Sequence, residues 1–370
     1  MPPPLSYALA ATRPDELTGL ISHLPDLKSL GFRWITLMPT WLVVDEIPPR
    51  IDLSRSPQLA EIAAAVSAVV ESGLNLKLEP HLDWETTLTG GPYDWRRRMY
   101  IAPNDAYADR VIAPLFGLAV EAAASGAECA LTLGSELDVS LAEFAPEWEA
   151  LFRALQPRAA GVTLGHNINH DSLNPGTDIR KPLNAERARR GLPPLDWRAH
   201  RERTTEAHRY LSRLDYSGFS FYPDARTGRS DQWWRAATTQ VQVRIVGRAF
   251  QKQVQTLTSR LRRSAGDKPQ FAIGEFGIGC TDPSRPWHFD AGTFLSPDGS
   301  MDRGARELRR KYYMGLLECL RKAPHLFASH PVTFWTMTHY DFLGALGYAG
   351  CEAFRDDVLR DAVVRYNELP

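Results

Sequence analysis

The chain is poor in cysteine. Its 370 residues hold four, Cys129, Cys280, Cys319 and Cys351, with no CxxC pairing and too low a density for a disulfide framework. Cys129 and Cys319 fall within apolar runs and read as small core residues. An excess of either charge is also lacking: 43 Lys and Arg stand against 44 Asp and Glu, a formal net charge of −1. There is no basic surplus to suggest a nucleic-acid partner, and no acidic tail. The run Arg187, Arg189, Arg190 reads as a solvated loop or helix face. No apolar stretch is long enough to cross a bilayer, so no membrane partner is expected. The opening Met1-Pro2-Pro3-Pro4 lacks the charged and apolar regions of a secretion signal. A cytoplasmic location is therefore expected, or a secreted or periplasmic one if a leader has been removed.

What the chain does have is alternation. Short apolar segments bounded by Gly, Pro or Asp occur at 5–10, 32–38, 74–80, 128–134, 161–166, 216–222, 270–274 and 332–337. Strands buried on both faces read this way. Between them lie helical patterns at 14–30, 57–72, 105–125, 141–155, 198–214, 239–263, 303–322 and 356–367. The first opens on Pro14 and stops at Gly31, the second opens on Pro57 and stops at Gly73, and the third stops at Gly126. Eight β units, each followed by a helix, predict an α/β chain folded as a single (β/α)8 TIM barrel over residues 1–370. A doubly wound sheet is the alternative, but residues 8–15 lack its Gly-rich phosphate turn. Long loops at 81–103, 167–197 and 278–301 follow strands, whereas most returns from helices are tight. That asymmetry marks the C-terminal face of the barrel as the working one.

Two segments at that face carry carboxylates. Leu131-Thr132-Leu133-Gly134-Ser135-Glu136 and Phe271-Ala272-Ile273-Gly274-Glu275-Phe276-Gly277 are both apolar runs that lead through Gly to one Glu. A glutamate at the tip of a buried strand needs a partner or a task. Glu136 and Glu275 would end the fourth and seventh strands and face each other across the mouth. Paired carboxylates about 5–5.5 Å apart serve retaining glycoside hydrolysis, one as acid/base and one as nucleophile. Tryptophan is concentrated in the same loops: Trp41, Trp84, Trp95, Trp233, Trp234, Trp287 and Trp335 all lie at or after strand tips. Indoles there suit the apolar faces of sugar rings. Trp335 and Trp41 are the expected stacking residues near the cleavage point, whereas Trp34, inside a strand, reads as core.

Glutamates on the fourth and seventh strands resemble the arrangement of the clan A glycoside hydrolases. The finer pattern is similar to glycoside hydrolase family 113, the endo-β-mannanase family. It is carried by Leu30-Gly31-Phe32-Arg33-Trp34-Ile35 running into Met38-Pro39-Thr40-Trp41, by Leu76-Lys77-Leu78-Glu79-Pro80-His81-Leu82-Asp83, by Gly134-Ser135-Glu136-Leu137 and by Gly274-Glu275-Phe276-Gly277. The similarity runs in order from about residue 5 to 277 and thereafter rests on Trp335 alone.

The resemblance implies Glu136 as acid/base, Glu275 as nucleophile and Tyr222 as the tyrosine that points at the nucleophile. It places His81 beside the subsite where the bond breaks and Asp83 on a neighbouring polar group. Trp84, His166, Asn167, Trp287 and His339 complete the expected substrate-binding set. Ser135 departs from the pattern, since most clan members place Asn before the acid/base, where it meets the sugar 2-hydroxyl. The histidines and acids at 81, 83, 166, 339 and 341 also suggest a metal site, but residues 7–13 lack the histidine pair that opens barrel metallohydrolases. No metal or cofactor is expected.

The expected function is retaining cleavage of a β-linked oligo- or polysaccharide, β-mannan-like by resemblance. The alternatives are a non-hydrolytic carbohydrate-binding relative in polysaccharide assembly, suggested by Ser135 and the missing secretion signal, and a transglycosylase using the same two glutamates. The sugar, the linkage, endo or exo action and the oligomeric state stay open.

Overall fold

Each apolar segment expected to be a strand finds parallel partners on both sides. The computed structural model describes residues 2–11, 16–46, 49–84, 96–169, 179–222, 238–265, 271–277, 303–327, 330–335 and 355–368. Its strands are β1 (Leu5–Ala11), β2 (Trp34–Glu46), β3 (Pro49–Asp52), β4 (Asn75–Leu78), β5 (His81–Trp84), β6 (Cys129–Ser135), β7 (Val162–Asn169), β8 (Tyr216–Phe221), β9 (Phe271–Phe276) and β10 (Val332–Phe334). Parallel pairing runs β1-β10-β9-β8-β7-β6-β4-β2, and β1 pairs β2 to close the ring. This is the expected (β/α)8 barrel.

The chain alternates as barrel strands require. On β1, Leu5, Tyr7 and Leu9 join the large core beneath the helices, while Ser6, Ala8 and Ala10 point inward. The base of the interior is filled by Trp34, Ala130, Tyr216 and Ala272, which bears out Trp34 as core. Above them lies a polar layer in which Ser6, Thr36 and Thr333 hydrogen-bond at 2.7 and 3.0 Å. The helices contribute their apolar stripes, as in Leu59–Glu71, where Ile62, Ala65, Val66 and Val69 are buried at the spacing of one helix face. Gly31, Gly73 and Gly126 have φ of 80°, 69° and 95°, the left-handed stop that ends a helix. Cys129 and Cys319 are buried, and burial pushes their thiols up to about 11 and 12.

The boundaries differ where proline intervenes. The expected helix 14–30 is two, Glu16–Ile21 and Leu24–Ser29, because Pro25 has no N–H to continue the first and fits the opening turn of the second. The expected helix 141–155 starts earlier and breaks at Phe144, giving Asp138–Glu143 and Ala145–Leu155, with Pro146 opening the latter. β2 extends beyond 38 to Glu46 and pairs antiparallel with β3 and in parallel with β5. Part of the expected loop 167–197 is the helix Arg180–Arg189. Its Arg187 is not solvated: it is buried and paired with Glu143, and Arg190 lies 2.9 Å from the buried Glu186. Among the described residues, no helix is long and apolar enough to cross a membrane.

Candidate active site

Two bulges aim the two glutamates. On β6, Thr132 pairs Gly165 of β7, but Ser135 pairs Asn167, so β6 carries one extra residue between them. On β9, Ile273 pairs Phe219 of β8 and Glu275 pairs Ser220, which leaves Gly274 as the extra residue. A bulge shifts the in–out alternation by one position and re-aims the side chains that follow. Ala130 and Thr132 face the barrel interior, and after the bulge so does Ser135. Glu136 follows with φ 57°, the one positive φ outside glycine among the described residues. Its N–H donates to the Asn167 carbonyl at 2.9 Å, which holds this uncommon backbone in place.

Glu275 is buried between two polar partners. The Tyr222 hydroxyl donates to Oε2 at 3.0 Å, and His81 Nε2 lies 2.9 Å from Oε1. Trp335 stacks on the His81 ring with centroids 5.7 Å apart and 21° between planes. Burial, reinforced by the Arg96 charge, pushes His81 down to about 3, so the imidazole is neutral. Burial raises the Glu275 carboxyl, against the pull of Arg96, Tyr222 and Lys77.

Glu136 is 16 % exposed and accepts from Arg96 Nη1 at 2.9 Å. The same guanidinium reaches Asp83 Oδ1 from Nη2 at 2.9 Å and the Leu82 carbonyl from Nε at 3.3 Å. The Glu136 carboxyl is pushed up to about 7, first by burial and then by the Glu275 charge, while Arg96 pulls it down. Burial opposes the charge on Arg96, but Asp83, Glu136 and Glu275 outweigh it and raise the guanidinium further. The two carboxylates therefore feel each other across the mouth, with Arg96 between Glu136 and Asp83.

Beneath the site lies a hub that sequence reasoning missed. Glu79 is fully buried, with Lys77 Nζ 2.5 Å from Oε2 and the Ser135 hydroxyl donating to Oε1 at 2.9 Å. The Asn167 amide also donates to Oε1. Lys77 continues to the Gly274 carbonyl at 3.3 Å, which ties the hub to the bulge before Glu275. A signal was present: Lys77 and Glu79, two apart in an otherwise apolar strand, share one face and must pair if buried. Arg96 left no such signal, because a triple arginine after a long loop reads as solvated. Glu79, His81 and Glu275 bring ligand-type atoms within 4.8 Å of one another. Of the three, Glu79 already has Lys77, Ser135 and Asn167 at its oxygens.

The structure gathers Glu136, Glu275, Tyr222, His81, Asp83 and Trp335 at one end of the barrel. Ser135 and Asn167 are adjacent but buried, with their polar groups turned inward to Glu79 and not to the mouth. His166 stands apart. Plain alternation on β7 turns it outward beneath the helices, where it is fully buried with its ring edge-on to Trp148 and Tyr210. Its expected contact with substrate is replaced by a packing role. Trp41 is likewise buried in the main core instead of being offered for stacking, and Trp84 packs half-buried against that core. Trp95, Trp233, Trp234, Trp287, His339, Asp341, Cys280 and Cys351 lie outside the described residues.

No protein-family model matches the chain, and no curated protein matches its sequence. Solved structures do match its fold from end to end. A GH113 β-1,4-mannanase complex aligns with a TM-score of 0.57 at 12% identity, covering 99% of this chain and 98% of that one. The GH113 β-mannanase AaManA from Alicyclobacillus acidocaldarius gives 0.55 at 14%, covering 98% and 96%. An endo-1,4-β-mannanase from Rhizomucor miehei gives 0.51 at 10%, covering 98% and 95%. The chain is thus similar to GH113 barrels in fold, in agreement with the motif resemblance. At these identities the likeness is one of fold.

Proposed function

We propose that this protein is a retaining glycoside hydrolase acting on a neutral β-linked hexose chain, mannan-like by its fold relatives. The observation that carries the reading is the pair of electrostatically coupled carboxylates on β6 and β9, each with its own polar support. Glu136, held near neutral pH, suits a general acid that later acts as base. Glu275, contacted by the Tyr222 hydroxyl and beside neutral His81, suits the nucleophile. In the first step Glu136 protonates the glycosidic oxygen while a Glu275 oxygen bonds the anomeric carbon and the aglycone departs. In the second, Glu136 takes a proton from water, which displaces Glu275 and releases the sugar. Trp335, half-buried against His81, offers a face for the ring at the cleavage point. Among the described residues at the mouth, Arg96 stands with three carboxylates, Asp83, Glu136 and Glu275, which favours a neutral sugar over a uronate.

One observation favours a second reading, carbohydrate binding without hydrolysis: the Ser135 hydroxyl is spent on Glu79 and does not face the mouth. A panel of β-linked manno-, gluco-, galacto- and N-acetylhexosamine oligosaccharides, run on wild type beside Glu275→Ala, separates the two. Cleavage by wild type with initial release of the β-anomer, lost in the variant, supports retaining hydrolysis. Binding with no cleavage by wild type sinks the hydrolase reading. Cleavage that appears only as transfer to an added acceptor identifies a transglycosylase.

A further inference from the structure

The arginine run 96–98 is a staple. Arg96 bridges Asp83 and Glu136, Arg97 Nε lies 3.3 Å from Asp138 Oδ2, and Arg98 Nη2 lies 3.8 Å from Glu186 Oε1. Three consecutive residues in one short turn thus pin the segment after β5 to the tip of β6 and to the helix Arg180–Arg189. Arg97 and Arg98 fix the turn, so Arg96 presents its guanidinium at a set place and angle. All three of its nitrogens are used, on Glu136, Asp83 and the Leu82 carbonyl. With the side chain only 11 % exposed, little water is at hand to solvate its charge.

That geometry poses a charge problem for any reaction in which Glu136 cycles between acid and carboxylate. Each time Glu136 holds a proton, a guanidinium paired with Glu136 alone would be left as a buried, uncompensated cation, which is costly. Here the same guanidinium already holds a second carboxylate in a separate hydrogen bond. We propose, building on the hydrolase reading, that Arg96 and Asp83 form a charge-exchange pair that lets Glu136 gain and lose its proton without stranding a buried cation. Arg96 and Asp83 are positioning residues that act through Glu136. Among the described residues, the other charged or titratable groups near Glu136 include Glu275 from β9, Lys77 and Glu79 from β4 and the turn after it, His81 from β5 and Tyr222 after β8. Of these, Glu275 also feels the Arg96 charge, while Asp83 is the carboxylate that hydrogen-bonds the same guanidinium as Glu136.

The two partners pull Glu136 in opposite directions, which makes the proposal testable. Arg96→Gln removes the cation that favours the carboxylate. Asp83→Asn removes the competing acceptor and leaves Arg96 to Glu136 alone. The measurement is a 13C-carboxyl NMR titration of Glu136 in the free protein, with the assignment checked by Glu136→Gln, alongside the pH profile of kcat/KM. The Glu136 titration and the alkaline limb are expected to move up by about one pH unit in Arg96→Gln and down in Asp83→Asn. Arg96→Lys, which keeps the charge, is expected to stay nearer wild type. Shifts in the same direction, or none, in variants with native circular dichroism overturn the proposal. If Arg96→Gln does not fold, Asp83→Asn decides alone: an upward shift or no shift overturns it. The titration needs no turnover. Opposed shifts in a protein that cleaves nothing would therefore refute the hydrolase reading and leave the Arg96–Asp83 pair standing, and normal cleavage without shifts would do the reverse.

Discussion

The Asn167 amide occupies the space that a side chain on Gly274 would fill. A side chain on Gly218 of the neighbouring β8 would meet the same amide, so two glycines open the volume that lets Asn167 reach Glu79 inside the barrel. Since Gly274 is also the bulge residue before Glu275, the packing of one amide is coupled to the aim of a carboxylate.

Gly274→Ala is therefore expected to act as overpacking at a site with no slack. A loss of about 1–3 kcal/mol is expected by chemical denaturation, together with a drop in any Glu275-dependent activity. Gly117, mid-helix with open space where its side chain would stand, is the control, and Gly117→Ala should raise stability by up to about 1 kcal/mol. Equal effects at the two positions would refute the assignment of Gly274 to a close approach.

Tyr222→Phe removes the hydroxyl that donates to Glu275 Oε2 while leaving the ring. Hydrogen bonds to charged groups are the stronger kind, so a fall of about ten- to a hundredfold in kcat/KM is expected. The pH profile adds a sign. The tyrosine holds the Glu275 carboxyl down, so its loss raises Glu275 and moves the acidic limb of activity to higher pH. An unmoved acidic limb would show that Tyr222 does not support the ionised nucleophile.

Glu79→Ala leaves the buried Lys77 ammonium without its carboxylate. Breaking a buried pair from one side costs about 3–5 kcal/mol, while replacing both partners by apolar groups recovers much of it. Urea unfolding of Glu79→Ala beside the double variant Lys77→Met/Glu79→Leu should show that recovery. A double variant as unstable as the single one would place the importance of Glu79 in Ser135 and Asn167 instead.

His166 gives stability a pH dependence unconnected with the site. Burial pushes its pKa down from the ordinary 6.5 to about 3, so between these values the unfolded chain binds a proton that the folded chain does not. The contribution of the neutral ring is present above about pH 6.5 and is lost as pH falls towards 3, at up to about 1.4 kcal/mol per pH unit. His166→Gln lacks this term, so the stability gap between wild type and variant should narrow from pH 6.5 to pH 4. A constant gap would show that His166 titrates in the folded protein as it does in the unfolded chain.

Much of this was legible in the one-dimensional pattern. The eight apolar segments, the glycine stops at 31, 73 and 126, and the two Gly-to-Glu runs all follow from local chemistry, and the barrel follows from their order. The prolines at 25 and 146 were visible too, but whether a helix ends or restarts at a proline depends on what it packs against. Lys77 and Glu79 were visible as charges yet not as a pair that Ser135 and Asn167 complete, since those partners come from two other strands.

What the sequence determined by itself is periodicity: the eight barrel strands, most of the helices between them, and that two glutamates end two strands. What only the tertiary structure decided is which way each side chain faces. Alternation along a strand has a period of two, and one bulge inverts it, but a bulge is a mismatch of register between two strands and leaves no mark in either alone. So Ser135 and Glu275 turn inward after their bulges, while His166, on a strand without one where it lies, turns out beneath the helices.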